Sequence, residues 1–141
     1  MLHGQVAGRP PALDLAMERA VHEVVLVAAG AGLLRSAHDV AEGGMLVALA
    51  ECCLLGGRGA RCRALRPEDG VRLDAAFFGE TQGRFVLGVE PGAVPAVRRL
   101  ASDHGVELAV LGEAGGDIVE FEGQLRVPLS ELREAWEGAL R

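Results

Sequence analysis

Met45 to Leu55 carries a single charged residue, Glu51. A helix that is apolar on nearly every side has to be covered on nearly every side. This stretch therefore predicts a buried helix with a sheet against one flank and another helix against a second. Glu51 is then either partly exposed or paired. The approach to the helix is as restrictive. Ser36-Ala37-His38-Asp39-Val40-Ala41-Glu42 leads into the pair Gly43-Gly44. Asp39 with Glu42 three positions later has the spacing of a capping box, which predicts a helix start at Asp39. A carboxylate there also suits the positive end of the helix dipole. Gly43 and Gly44 would then occupy the first turns, each costing roughly 1 kcal/mol relative to alanine. Glycine kept at such a cost lets something approach the backbone closely. That object is either a neighbouring strand or a ligand such as phosphate, held by the free N–H groups of a helix start. Spacing alone leaves both open.

The rest of the chain supplies the cover. Residues 1–12 contain Gly8, Pro10 and Pro11 and read as an extended leader, the remnant of an interdomain linker; residues 13–141 read as one domain. Leu13, Met17, Val21, Val24, Val25 and Ala28 recur at helical spacing, and Gly30 and Gly32 end that helix. Arg19 and Glu23 can pair on its polar face, where His22 reads as a solvated residue. Leu34 to Ala37 and Ala60 to Leu65 read as strands. Val71 to Phe78 predicts a short helix taking Phe77 and Phe78 inward. The loop Gly79-Glu80-Thr81-Gln82-Gly83-Arg84 then feeds the strand Phe85 to Val89. An acid, a hydroxyl, an amide and an arginine ahead of a buried strand make a plausible ligand wall. Arg84 is suited to a bidentate contact with phosphate or carboxylate, or equally to pairing with Glu80 or another local acid. A helix from Ala93 to His104, a strand from Val106 to Leu111 and a glycine-rich turn from Gly112 to Gly116 follow. That turn lacks the GxGxxG spacing of a dinucleotide site. A hairpin, Ile118 to Phe121 with Gln124 to Val127, precedes a last helix capped by Ser130, with Leu132, Trp136 and Leu140 on one face. The predicted class is α+β, three layers, with a mixed β-sheet flanked by helices.

Composition narrows the function classes. Half of the 141 residues are hydrophobic and only 4% aromatic, so aliphatic side chains must fill the core. No apolar run spans a bilayer; the best, Val24 to Leu34, is short and broken by Gly30 and Gly32. No basic segment followed by an apolar core marks a signal peptide, so a soluble, cytoplasmic protein is expected. Cys52, Cys53 and Cys62 form no CxxC pair, which disfavours zinc and thioredoxin-like chemistry and leaves them as small buried hydrophobes. Residues 103–141 hold nine acids against three arginines, the whole of the net charge of −6. That argues against a nucleic-acid surface. No metal-ligating or catalytic cluster is visible in the pattern.

The two loops, in this order, resemble a family. SAHDVAEGGMLVALAE is similar to the HD-(S/T)-DGGL-xx-AL-xE run, and FFGETQGRFVL to the LFGE-(S/T)-Q-x-R run, of the C-terminal module in the aminoimidazole ribonucleotide synthetase superfamily. Pro10 to Leu15 and the ending Val127 to Glu137 resemble the small-type synthetase subunits of phosphoribosylformylglycinamidine synthases. Val40-Ala41-Glu42 departs from the serine and aspartate usual before the glycines. The resemblance implies the fold of the aminoimidazole ribonucleotide synthetase C-terminal domain, in the second half of a two-half enzyme. That enzyme uses ATP, Mg2+ and glutamine-derived ammonia to convert formylglycinamide ribonucleotide to its amidine in purine biosynthesis. The implied partners are the remaining domains of the synthetase chain, a glutaminase subunit and a small accessory subunit. The implied phosphate- or substrate-facing residues are His38, Asp39, Gly43, Gly44, Glu80, Thr81, Gln82 and Arg84. The family's catalytic groups lie in other domains, so this polypeptide is expected to be inactive alone and to hold no tightly bound cofactor. The alternatives are another superfamily member, such as aminoimidazole ribonucleotide synthetase or selenophosphate synthetase, or a non-catalytic interaction domain.

Overall fold

In the computed structural model, which describes residues 11–67 and 70–138, helix α2 (Gly44–Gly56) lies at the centre. It packs against strands β1 (Leu34–Asp39) and β3 (Phe85–Val89), against α3 (Leu73–Phe78) and against α5 (Leu129–Gly138). Its cover is what an all-round apolar helix requires. Met45, Ala48, Leu49, Cys53 and Leu54 are buried from it, and no charged or polar residue is buried among those described. Glu51, the one charge on α2, pairs with His38 Nε2 at 2.9 Å.

The strands divide between two sheets. β1 and β3 form an antiparallel ribbon in which Asp39 stands opposite Phe85. The second sheet runs β4 (Gly112–Ala114), β2 (Ala60–Cys62), β5 (Ile118–Phe121), β6 (Leu125–Pro128), with β2 and β5 parallel and the other pairs antiparallel. The expected mixed pairing within an α+β class is therefore present. Helices α1 (Leu15–Gly30) and α4 (Val94–Asp103) pack on each other and bury Val21, Val24, Ala28, Val97 and Ala101. The main core joins α2 to Phe77, Val86, Val119, Phe121 and Leu129, and Phe77 meets Phe121 edge-on at 5.0 Å.

Several local expectations are corrected. The capping-box start at Asp39 is not used: pairing with β3 keeps Asp39 extended, and α2 begins five residues later at Gly44, behind a Gly43 cap. Both glycines adopt left-handed backbone, φ +79° and +72°. Helix α1 starts behind Asp14, whose carboxylate accepts from the Ala16 and Met17 amides. Leu13 and Met17 are exposed rather than inward; the buried residues of α1 are Val21, Val24 and Ala28. Phe78 is also exposed, at the last position of a helix too short to turn both phenylalanines inward. Val106 to Leu111 is not a strand; the strand is the glycine-containing Gly112–Ala114. A Cβ on Gly112 would strike the Arg61 carbonyl, so glycine lets β4 close on β2. The strand expected from Ala60 to Leu65 stops at Cys62, and α5 begins at Leu129, with Ser130 inside it rather than capping it. Trp136 is exposed. The leader through residue 10 and Leu140 lie outside the described residues.

Candidate functional site

Because Asp39 and Phe85 are register partners, the turn after β1 and the loop before β3 leave the ribbon at the same end. Val40 N–H donates to the Arg84 carbonyl at 2.9 Å and continues that pairing by one residue. The two loops, about forty residues apart in sequence, thus become the two sides of one cleft. Its volume is about 350 Å³, and Asp39 to Glu42, Glu80 and Gln82 to Phe85 line it. Helix α1 closes the third side with Glu18 and His22, and the His22 ring meets Phe85 edge-on at 5.7 Å.

The eight residues put forward by the motifs divide by what they touch. Asp39, Glu80, Gln82 and Arg84 line the cleft. Glu80 Oε1 accepts from Gly43 N–H at 2.9 Å, so a carboxylate of this chain already occupies the amide at the start of α2. Arg84 turns inward. Its Nη2 donates to the Gly79 carbonyl and its Nε to the Thr81 carbonyl at 3.3 Å, and burial draws its guanidinium below the ordinary arginine range. His38 has both ring nitrogens engaged, Nε2 with Glu51 and Nδ1 with the Asp39 carbonyl at 2.7 Å. It presents no free nitrogen to the cleft. Gly44 is buried, and its N–H donates to Ala41 O at 3.1 Å. Gly44 also answers what the glycine pair is for: a Cβ there would lie 2.5 Å from the Phe78 carbonyl carbon. The object that approaches the backbone is the end of α3.

Glu18 and His22 are site residues that sequence reasoning missed. They look like any i,i+4 pair on a polar helix face, and their Glu18 Oε2 to His22 Nε2 distance is 3.7 Å. Nothing local says that this face closes a cleft. Glu18 Oε1 is the one buried side-chain oxygen without a partner among the described residues.

The cleft wall carries four carboxylates, Glu18, Asp39, Glu42 and Glu80, against Arg84, which is engaged with its own loop. Such a wall favours hydrogen-bond donors and cations over a bare phosphate. Among the described residues no three His, Cys, Asp or Glu side chains converge as a metal cage. No described helix is long and apolar enough to cross a membrane.

An α+β module with two loops meeting at a solvent-open cleft is the kind of unit that supplies one wall of a larger binding site. The chain belongs to the family described as AIR synthase related protein, C-terminal domain, whose model matches residues 2–122. It is 45% identical over 142 residues to the phosphoribosylformylglycinamidine synthase subunit PurL of Anaeromyxobacter dehalogenans, covering 95% of this chain and 19% of that protein. It is 45% identical over 136 residues to the same subunit of Thermomicrobium roseum, covering 95% of this chain and 18% of that protein. The chain thus spans less than a fifth of these relatives. Among solved structures it matches Thermotoga maritima PurL complexed with FGAR, with a TM-score of 0.78 and 24% identity, covering 92% of this chain and 23% of that one. That likeness is one of fold.

Proposed function

We propose that this chain is the C-terminal module of the synthetase subunit of phosphoribosylformylglycinamidine synthase, the ATP-dependent ligase that forms formylglycinamidine ribonucleotide in purine biosynthesis. The observation that carries the reading is the identity of 45% sustained over 95% of the chain with PurL subunits. In this reading the cleft faces the rest of the synthetase, and Asp39, Gln82 and the other cleft residues contribute a wall to a nucleotide or substrate site. ATP and Mg2+ are bound by the parent enzyme, the metal by groups outside this chain. The glutaminase and small accessory subunits assemble on the same parent, in the cytoplasm. The catalytic groups of the reaction lie in the rest of the parent enzyme, and the module is inactive alone.

Two measurements test this. Steady-state assay of the 141-residue chain with ATP, formylglycinamide ribonucleotide and ammonium is expected to show no turnover; turnover refutes the module reading. Isothermal titration of the chain with ATP, and with the ribonucleotide, distinguishes a live cleft from a structural one. The second reading, a supporting domain with no ligand, has a specific observation in its favour: Gly43 N–H, His38 and Arg84 all have partners within the chain. No heat with either ligand, together with full activity of Arg84→Ala in the parent enzyme, favours that reading.

A further inference from the structure

We propose that Glu80 is a positioning residue of the cleft, not one of its ligand-contacting groups: its carboxylate caps α2 from across the fold and so sets the loop that carries Thr81, Gln82 and Arg84. The inference rests on the proposed function only in treating that loop as ligand-facing.

The start of any helix leaves backbone N–H groups without partners inside the helix. A side chain at the cap position normally supplies an acceptor. Gly43 has no side chain, and α2 receives no such bond from its own cap residue. Glu80, 37 positions away, accepts from the N–H of the cap residue itself at 2.9 Å, the amide that the N3 side chain of a capping box would otherwise serve. The acceptor is a carboxylate, which makes the bond charge-assisted and places a negative group at the positive end of the helix dipole. Among the described residues this is the only side-chain hydrogen bond between the loop and the start of α2. The rest of the loop is tied to itself or to the ribbon. Arg84 gathers the Gly79 and Thr81 carbonyls, and its own carbonyl accepts from Val40. Gly44 brings the helix start onto the Phe77–Phe78 backbone, from which the loop departs. Main-chain packing thus sets one end of the loop and Arg84 sets its curvature. Glu80 fixes how far it stands from α2, and with that the width of the cleft between Glu42 and Gln82.

The test needs no ligand. Amide spectra are recorded on the 15N-labelled 141-residue chain, as wild type, Glu80→Ala and Glu80→Gln. In Glu80→Ala the Gly43 amide proton is expected to move upfield and to exchange with solvent at least about tenfold faster, a loss of roughly 1.4 kcal/mol of protection. The Thr81 and Gln82 amides should shift with it. Glu80→Gln keeps an acceptor at the same reach and is expected to restore Gly43 exchange to within about threefold of wild type. A Gly43 amide indifferent to Glu80→Ala overturns the proposal, as does a Glu80→Gln chain as perturbed as Glu80→Ala. Should Glu80→Ala not fold, Glu80→Asp, one methylene short, is read in its place with the same two outcomes. A chain that binds no nucleotide leaves this result standing. Loss of the Gly43 effect in turn leaves nucleotide binding to be judged by titration.

Discussion

Gly44→Ala should cost this chain a large part of its stability. Two costs add. The residue sits at φ +72°, where an L side chain costs about 1–2 kcal/mol. The added methyl would stand 2.5 Å from the Phe78 carbonyl carbon, 2.6 Å from its Cα and 2.7 Å from the Phe77 carbonyl oxygen. These are backbone atoms and cannot rotate away, so overpacking adds about 1–3 kcal/mol. The sum is roughly 2–5 kcal/mol, against a total stability of about 5–15 kcal/mol for a domain. Urea unfolding followed by far-UV circular dichroism reads the change as a lower midpoint at unchanged slope. Gly92→Ala is the control, since nothing lies within 4 Å of a Cβ there and its backbone is not left-handed; it should stay within about 0.5 kcal/mol of wild type. Adding Phe78→Ala to Gly44→Ala should bring no relief, because the atoms met are main chain. A Gly44→Ala midpoint indistinguishable from wild type would refute the claim that close backbone approach requires the glycine.

Phe77→Ala removes a buried ring that packs edge-on to Phe121, and should destabilise by about 3–5 kcal/mol in the same assay. Asp14→Ala removes the acceptor for the Ala16 and Met17 amides and should cost about 1 kcal/mol, with helicity lost first at the start of α1. Burial, with smaller contributions from Cys52 and Cys62, pushes the Cys53 thiol up to about 11 from the ordinary value of 9.0. A raised thiol stabilises the fold fully below pH 9 and ceases to do so as pH rises through 11. Unfolding midpoints should therefore decline over that interval, less so in Cys53→Ala. At pH 8 a disulfide reagent should label the half-exposed Cys52 well before Cys53 or Cys62.

What could be read in advance divides along the range of the interactions. Helix α2 was legible because eleven nearly uncharged residues admit few alternatives, and the β5–β6 hairpin because Gly123 marks its turn. The start of α2 was not legible, since a local capping pattern at Asp39 competes with a strand pairing to Phe85, and the pairing prevails. Val106 to Leu111 has strand-like residues but finds no ladder, whereas Gly112 succeeds because it has no side chain. At the cleft, residue types pointed to both loops, yet only tertiary contacts show that Glu80, Arg84 and His38 are spent within the chain. The wall from α1 left no mark on its local pattern.

The Asp39–Phe85 pairing has a consequence for how such a module can change. Both loop segments spring from one terminus of a ribbon whose register runs from Leu34–Val89 to Asp39–Phe85. The exposed positions of either segment, Ala41, Glu42, Thr81 and Gln82, can be exchanged without sliding one strand past the other. The scaffold therefore tolerates rewritten chemistry at its open end while the buried helix keeps its seat. A graft of a relative's segment in place of 40–43 or 79–84 should be accepted more readily than an equal number of changes within the ribbon itself.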